Sequence, residues 1–205
     1  MAFQKKSSRA TEQDRPDVAR LRVDWSECQA TVDATRLVFI DETGLQTEMT
    51  RRRGWTLAGE RLVEAVPGGH WRTYTLVHAV SMDGTRTAMI LDGPLNSVSF
   101  AGFCAQFLAP TLQRGDLVVL DNLSSHKSPA AVEAIEAVGA KVVYLPPYSP
   151  DLNPIENIFS KIKQLIRGWR PKNWREIIHS VRQSLLQVTP DDLHNAFVHC
   201  GYATM

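Results

Sequence analysis

The sequence predicts an α/β fold in which a mixed, five-stranded sheet is flanked by helices. Continuous apolar runs are typical of strands buried on both faces, and the chain has three of them, at 37–40, 116–120 and 141–145. A hairpin signal between the first two runs adds two antiparallel strands. Helical segments separate the later runs, as crossovers between parallel strands require.

Length and composition indicate one globular domain. The 205 residues are enough for a sizeable core, and apolar and charged shares of 43% and 22% are ordinary for a soluble protein. No apolar run approaches the ~18 residues of a membrane span and no signal-peptide pattern opens the chain, so no membrane partner is expected. The three cysteines, Cys28, Cys104 and Cys200, are far apart, which suggests reduced thiols and a cytosolic setting.

The charge distribution is more informative than the total. The formal net charge is only +1, which does not indicate nucleic-acid binding. Between Asn153 and Arg175, however, six basic residues accompany a single acid, Glu156, and Arg51–Arg53 form a second basic cluster. Basic patches usually form solvated surface, and contact with phosphate is the alternative that both clusters leave open.

The chain begins with a predicted lead-in and a long insertion. Residues 1–33 are polar, with a helix expected over Arg15–Ala30, and the main domain is expected at 34–205. Its first strand, Leu37–Ile40, is followed by an insertion at 43–70. This insertion carries several glycines and the arginine cluster, and a loop of that length inside a domain is usually functional.

The remaining elements follow in order. The β-branched and aromatic stretch Trp71–Met82 turns at Asp83-Gly84 into Thr87–Leu91, which forms the hairpin. Apolar spacing and capping residues predict the helices that surround and follow the last two strands. These helices are expected over Val98–Leu108, Pro129–Gly139, Asn153–Trp169, Trp174–Val188 and Asp191–Val198. This order of elements is that of the ribonuclease H-like fold.

Two acids follow predicted buried strands. Asp41 comes directly after Ile40, and Asp121 comes directly after Leu120. A strand-end acid is commonly just solvated, but adjacent strand ends in an open α/β sheet are the usual place for chemistry. Because side chains alternate along a strand, the inward acid of the first pair is either Asp41 or Glu42, and the pattern alone does not choose.

Glu156 has two interpretations. Asn153-Pro154-Ile155-Glu156 fits a capping box, which would stabilise a helix start without any chemistry. Helical geometry also aligns Glu156 with Lys163 and Arg167 on one face, away from the apolar stripe. One acid followed by two bases suits a metal ligand beside a ridge that contacts phosphate.

Three converging carboxylates would repel one another unless divalent cations neutralise them. Hard oxygen ligands point to Mg²⁺ or Mn²⁺, and two such ions can activate a nucleophile and stabilise the leaving oxygen of a phosphodiester. The chain has neither a Gly-rich phosphate loop nor a Gly-x-Ser-x-Gly elbow. A hydrolase using Ser124, Ser125 and His126 is disfavoured, because adjacent positions in one short loop rarely form a working dyad.

The chain resembles mariner-superfamily transposases and, among them, the bacterial insertion-sequence 630 branch. The resemblance extends over about residues 36–200. Three blocks carry it: Phe39–Gly44, Leu120–Asn122 with His126-Lys127, and the proline-rich block Leu145–Glu156. The 34 residues between Asp121 and Glu156 are a spacing typical of that superfamily.

The resemblance implies a ribonuclease H-like domain in which Asp41, Asp121 and Glu156 hold two Mg²⁺ or Mn²⁺ ions. It implies hydrolysis of a phosphodiester at the transposon end, followed by attack of the freed 3′-hydroxyl on target DNA at a TA step. A homodimer bound to DNA at the bacterial nucleoid is the expected active form.

The resemblance also suggests residues that contact DNA or support the metal ligands. These are Asn122, His126, Lys127, Asn153, Lys163, Arg167, Arg51, Arg52 and Arg53. For Asn122 and His126, a structural role in their loop is the alternative. The insertion that carries the arginine cluster lies where related transposases have a clamp that meets a partner subunit or DNA.

One departure from the family pattern concerns the amino terminus. Family members carry a helix-turn-helix region that reads the inverted repeats, and the residues before the first strand leave no room for it. The expectation is a truncated protein, a second reading frame or a remnant, with weak end recognition and salt-dependent residual binding. A plain ribonuclease H-like nuclease and a non-catalytic, transposase-derived DNA-binding protein remain as alternatives.

Overall fold

Five strands form one mixed sheet in the computed structural model, which describes residues 10–51, 54–66 and 71–202. The strands are β1 (Leu37–Gln46), β2 (Thr73–Ser81), β3 (Gly84–Leu91), β4 (Leu117–Leu120) and β5 (Lys141–Tyr144). Their order across the sheet is β3-β2-β1-β4-β5. The first three are antiparallel neighbours, whereas β1, β4 and β5 run parallel. The predicted α/β class and mixed five-stranded sheet are confirmed.

Helices cover both faces of this sheet. They are α1 (Pro16–Gln29), α2 (Ser97–Phe103), α3 (Pro129–Glu136), α4 (Pro154–Trp169), α5 (Trp174–Leu185) and α6 (Pro190–His199). The helix predicted over 98–108 is α2 together with a wider π turn at Cys104–Leu108. Within the described ranges, no helix combines the length and apolarity that crossing a membrane would need.

Alternation along β1 divides the core into two layers. Leu37, Phe39 and Leu45 pack on the face covered by α4, α5 and α6. Val38 and Ile40 pack on the opposite face, with the side chains of α2 and α3. Residues in the middle of β1 therefore point alternately into two different environments, which matters for the acids that follow Ile40.

The first strand is longer than predicted, so Asp41 lies inside β1 and not at its end. The prediction of a strand end was wrong because it relied on the apolar run alone. The parallel partner β4 pairs only with Leu37–Phe39, but β2 continues the antiparallel ladder from Phe39 to Gln46. Backbone pairing with β2 thus extends β1 through a polar stretch, while the neighbouring β4 stops.

The helix predicted in the lead-in is present as α1, and it packs against the domain that contains the sheet. Val18 is buried, and Trp25 Nε1 donates to the Tyr202 hydroxyl at 3.1 Å. Arg22 donates to Ser149 Oγ and pairs with Asp151 at 2.6 Å. Through these contacts α1 lies against the proline-rich segment that borders the site described next.

Candidate active site

Three acids from three separate elements line one cleft of about 430 Å³. Asp41 lies on β1, Asp121 directly follows β4, and Glu156 lies in the first turn of α4. Because β1 and β4 are parallel neighbours, the residues that follow their common register meet at one edge of the sheet. The lining residues are Asp41, Asp121, Asn122, Leu123, Leu145, Pro146, Pro147, Tyr148, Ser149, Pro150, Asn153 and Glu156.

Alternation along β1 assigns Asp41, and not Glu42, to the cleft. Asp41 shares the face of Phe39, which packs with α4 and α6, and so points toward Glu156. Glu42 lies on the face of Ile40, where its carboxylate meets His126 behind the cleft. The choice that the sequence left open is thus made by the pairing of β1 with its neighbours.

Asn153 precedes α4 but does not cap it with its side chain. Its amide Nδ2 instead donates to Oδ2 of Asp41 at 2.8 Å, and the residue is only 3% exposed. The capping-box interpretation of Asn153 and Glu156 was therefore wrong. Pro154 at the first helical position can begin the helix without that cap, which frees Asn153 for the tertiary contact.

The acids of the cleft differ in proton affinity. Burial, and then the charge of Asp121, raise the pKa of Asp41 to about 7. Burial also raises the pKa of Glu156, against an opposing effect of the nearby Lys163 charge. Burial by itself would raise the pKa of Asp121. Hydrogen bonds from His126 and from the Leu123 backbone N–H outweigh burial, so the pKa of Asp121 is lowered. The cleft thus holds negative charge that is costly without a cation.

His126 lies behind the cleft and is fully buried. Its Nδ1 is 2.6 Å from Oδ1 of Asp121, and its Nε2 is 2.9 Å from Oε2 of Glu42. Burial lowers the pKa of His126, yet the hydrogen bond to Asp121 and the close contact with the Glu42 carboxylate prevail and raise it to about 9. Because His126 is buried, a role in supporting the proposed metal ligands is favoured over direct contact with DNA.

Two other predicted residues lie beside His126. The Asn122 amide donates to the backbone carbonyl of Leu145, which ties the loop after β4 to the end of β5 while Asn122 lines the cleft. Lys127 Nζ lies 5.9 Å from the ring centre of Tyr144 and is exposed to solvent. Asn122 therefore has the structural contact that was its alternative role.

The predicted basic residues of α4 lie on the face that carries Glu156. The Lys163 charge acts on Glu156, and Arg167 lies one turn further along the helix. Arg51 and Arg167 line a second cleft between α4 and the insertion. Arg52 and Arg53 lie outside the described residues.

A comparison with known protein families identifies the family of this chain. The model of the DDE superfamily endonucleases matches residues 36–178, which is more than half of the chain. The chain belongs to the DDE superfamily endonucleases. A comparison with curated protein sequences gives no match.

Solved structures of Mos1 transposase share the fold of this DDE endonuclease. A Mos1 paired-end complex with the left transposon end gives a TM-score of 0.76 at 15% identity, over 97% of this chain and 63% of the Mos1 chain. The Mos1 strand transfer complex gives 0.74 at 16% identity, over 98% and 63%. The Mos1 catalytic domain with raltegravir and Mn gives 0.71 at 13%, over 95% and 92%. The chain spans less than two thirds of the longer Mos1 chains, and the predicted ribonuclease H-like fold is confirmed.

The donors in the cleft of this DDE endonuclease fit a hard divalent cation. They are carboxylates, and the raised pKa of Asp41 and Glu156 reflects burial and charge repulsion that a cation would relieve. Among the residues that the structure describes, no group of three or more His, Cys, Asp or Glu side chains lies close enough together to hold a metal ion. The acids instead flank an open cleft, which leaves room for a substrate oxygen.

The sequence offered Glu42 only as the alternative to Asp41 in the cleft, and it did not predict the contact of Glu42 with His126. Its partner His126 lies 84 positions along the chain, so no local spacing connects them. The usable signal was the alternation along β1, which places neighbouring acids on opposite faces.

Proposed function

We propose that this DDE endonuclease is the catalytic part of a cut-and-paste DNA transposase. Its reaction would be hydrolysis of a phosphodiester at the transposon end, followed by transfer of the freed 3′-hydroxyl into target DNA. The observation that carries the proposal is the meeting of Asp41, Asp121 and Glu156 in one cleft of a chain in this family.

Asp41, Asp121 and Glu156 are proposed to hold two Mg²⁺ or Mn²⁺ ions. Such ions would supply activation of the attacking hydroxyl and stabilisation of charge on the leaving oxygen. Support comes from the donor chemistry of the cleft and from the Mos1 paired-end complexes solved with Mn and with Mg.

Residues around the acids orient them and bind the substrate in this proposal. Asn153 and the backbone N–H of Glu42 each donate to Asp41 at 2.8 Å, one to each carboxylate oxygen. These bonds hold Asp41 in one rotamer toward the cleft. Lys163 and Arg167 would contact the DNA backbone along α4, a type of contact that fixes register without reading sequence. Lys127, Arg51, Arg52 and Arg53 are proposed as further phosphate contacts.

The finer assignments are part of the same proposal. The proline-rich block and the 34-residue interval before Glu156 support the bacterial insertion-sequence 630 branch, and with it action at the nucleoid. A TA target step and a homodimeric active form are proposed from the mariner-type signature. The solved Mos1 paired-end and strand transfer complexes support DNA as the partner.

A nicking assay tests the core of the proposal. Supercoiled plasmid is incubated with the 205-residue chain and Mn²⁺, with EDTA as the metal-free control. Nicked circles are expected only with Mn²⁺, and Asp121→Asn should abolish them while circular dichroism remains unchanged. Glu133→Gln, which alters an exposed carboxylate on α3, should keep wild-type activity.

Two outcomes would contradict the proposal. Equal nicking by Asp121→Asn would remove Asp121 from the chemistry. Cleavage of an RNA–DNA hybrid with no action on duplex DNA would point to a plain ribonuclease H-like nuclease.

A further inference from the structure

Glu42, His126 and Asp121 form a continuous chain of polar contacts behind the cleft. His126 bridges Asp121, through Nδ1 at 2.6 Å, and Glu42, through Nε2 at 2.9 Å. We infer that Glu42 and His126 are a positioning pair that fixes the carboxylate of Asp121 for metal binding. The inference rests on the proposed function, because it concerns the same metal site.

The two members of the pair depend on each other. His126 is fully buried and the Glu42 side chain is 20% exposed. The 2.9 Å contact is an ion-pair approach without hydrogen-bond geometry, and over the described ranges neither Nε2 of His126 nor Oε2 of Glu42 has a hydrogen-bond partner. Removing Glu42 would therefore leave a buried ring nitrogen without its counterpart, and a buried polar atom without a partner is costly.

Neighbouring elements hold the imidazole ring in this orientation. The Phe100 ring of α2 packs on it, with ring centres 4.5 Å apart. The Tyr144 hydroxyl, at the end of β5, donates to the His126 backbone carbonyl at 3.3 Å. Swinging the ring away from Asp121 would break its packing on Phe100, while the Tyr144 contact fixes the backbone of the same residue.

The contacts determine which oxygen of Asp121 remains for a cation. Oδ1 accepts hydrogen bonds from His126 and from the Leu123 backbone N–H, the latter at 2.9 Å. Oδ2 takes no part in these hydrogen bonds, and Asp121 lines the cleft, so Oδ2 is the oxygen that we assign to the cation. Because Glu42 directly follows Asp41 on β1, the same contacts also link the loop after β4 to the strand that carries Asp41. The positions of the two aspartates are thus coupled from behind the cleft.

Mn²⁺ binding to the 205-residue chain, followed by electron paramagnetic resonance at one fixed pH, tests the pair directly. Partners that orient a metal ligand contribute about 10–100-fold to metal affinity. Glu42→Ala and His126→Ala should each weaken Mn²⁺ binding by about tenfold or more. Glu42→Gln, which keeps an oxygen acceptor, should recover most of the affinity. Glu133→Ala, on the exposed face of α3, is the matched control and should bind like the wild type.

The double variant separates positioning from two independent effects. Since Glu42 acts through His126, Glu42→Ala with His126→Ala should bind Mn²⁺ no more weakly than His126→Ala alone. Circular dichroism verifies folding, and His126→Asn replaces His126→Ala if the alanine variant unfolds. Wild-type affinity in folded Glu42→Ala, or fully additive losses in the double variant, would overturn the inference while leaving the metal site intact. Absence of Mn²⁺ binding by the unmodified chain would refute the metal site of the proposed function and, with it, the pair.

Discussion

Replacing Asn153 by alanine tests whether this residue supports the proposed metal ligand Asp41 or has only a structural role. The Asn153 amide lies 2.8 Å from Asp41 and is nearly inaccessible to solvent. A hydrogen bond to a charged group is worth about 1.5–3 kcal/mol, or at least about tenfold in proton affinity. Its loss should therefore raise the pKa of Asp41 further above its value of about 7. At neutral pH, Mn²⁺ would then have to displace a proton from most molecules, and its affinity should fall by about tenfold.

Asn173 provides the matched control for this experiment. Its side chain accepts from the Glu176 backbone N–H at 3.1 Å and caps α5, and it does not line the cleft. Asn173→Ala should lose about 1 kcal/mol of unfolding free energy and keep its Mn²⁺ affinity. Calorimetric Mn²⁺ titration and urea unfolding of both variants give the two quantities. If Asn153→Ala loses stability yet binds Mn²⁺ like the wild type, Asn153 is only a structural residue and the reasoning fails.

Three further predictions follow from the same contacts. The pKa of Asp41 is raised to about 7, so its neutral form is favoured in the metal-free fold, and thermal stability should fall as the pH rises from about 4 to 7. Stabilisation by Mn²⁺ should grow over that same window and should vanish in Asp41→Asn at every pH. Thr189→Ala removes the reciprocal cap with Asp192 that begins α6 and should cost about 1 kcal/mol in urea unfolding, without changing Mn²⁺ affinity. Lys163→Ala should reduce the slope of log affinity for duplex DNA against log salt by about 0.9, measured by fluorescence anisotropy, and an unchanged slope would exclude a phosphate contact.

The sheet could be predicted from sequence wherever strands are apolar on both faces. Leu117–Leu120 and the start of β1 are such strands, and their burial is visible in composition alone. The second half of β1 could not be found in this way. From Asp41 to Gln46 the strand is paired antiparallel with β2, and the partner residues in β2 lie 27 to 37 positions further along the chain.

In the site, too, local sequence patterns identify some residues, whereas the roles of others depend on contacts with distant parts of the chain. Asp121 was identifiable because it follows an apolar strand. The local pattern around Asn153 is that of a cap, and only the family resemblance suggested a role for Asn153 beside the metal ligands. The contact that determines the position of the Asn153 side chain is made with Asp41, which lies 112 positions earlier in the chain. Local propensity offers Asn153 about 1 kcal/mol as a cap, whereas a buried, charge-assisted bond is worth more, so the tertiary contact prevails.

The pKa values of the acids in the cleft are shifted in opposite directions, so these acids differ in how far they are ionised, and able to bind a cation, at neutral pH. Hydrogen bonds from His126 and Leu123 lower the pKa of Asp121, so this carboxylate is ionised at neutral pH. The pKa values of Asp41 and Glu156 are both raised, in part by the charge of Asp121. A cation held by Asp121 would cancel the charge that raises the other two pKa values, and their ionisation would then favour further binding. Metal binding by this site should consequently release protons near pH 7, and the contacts that keep Asp121 ionised are the ones on which that coupling depends.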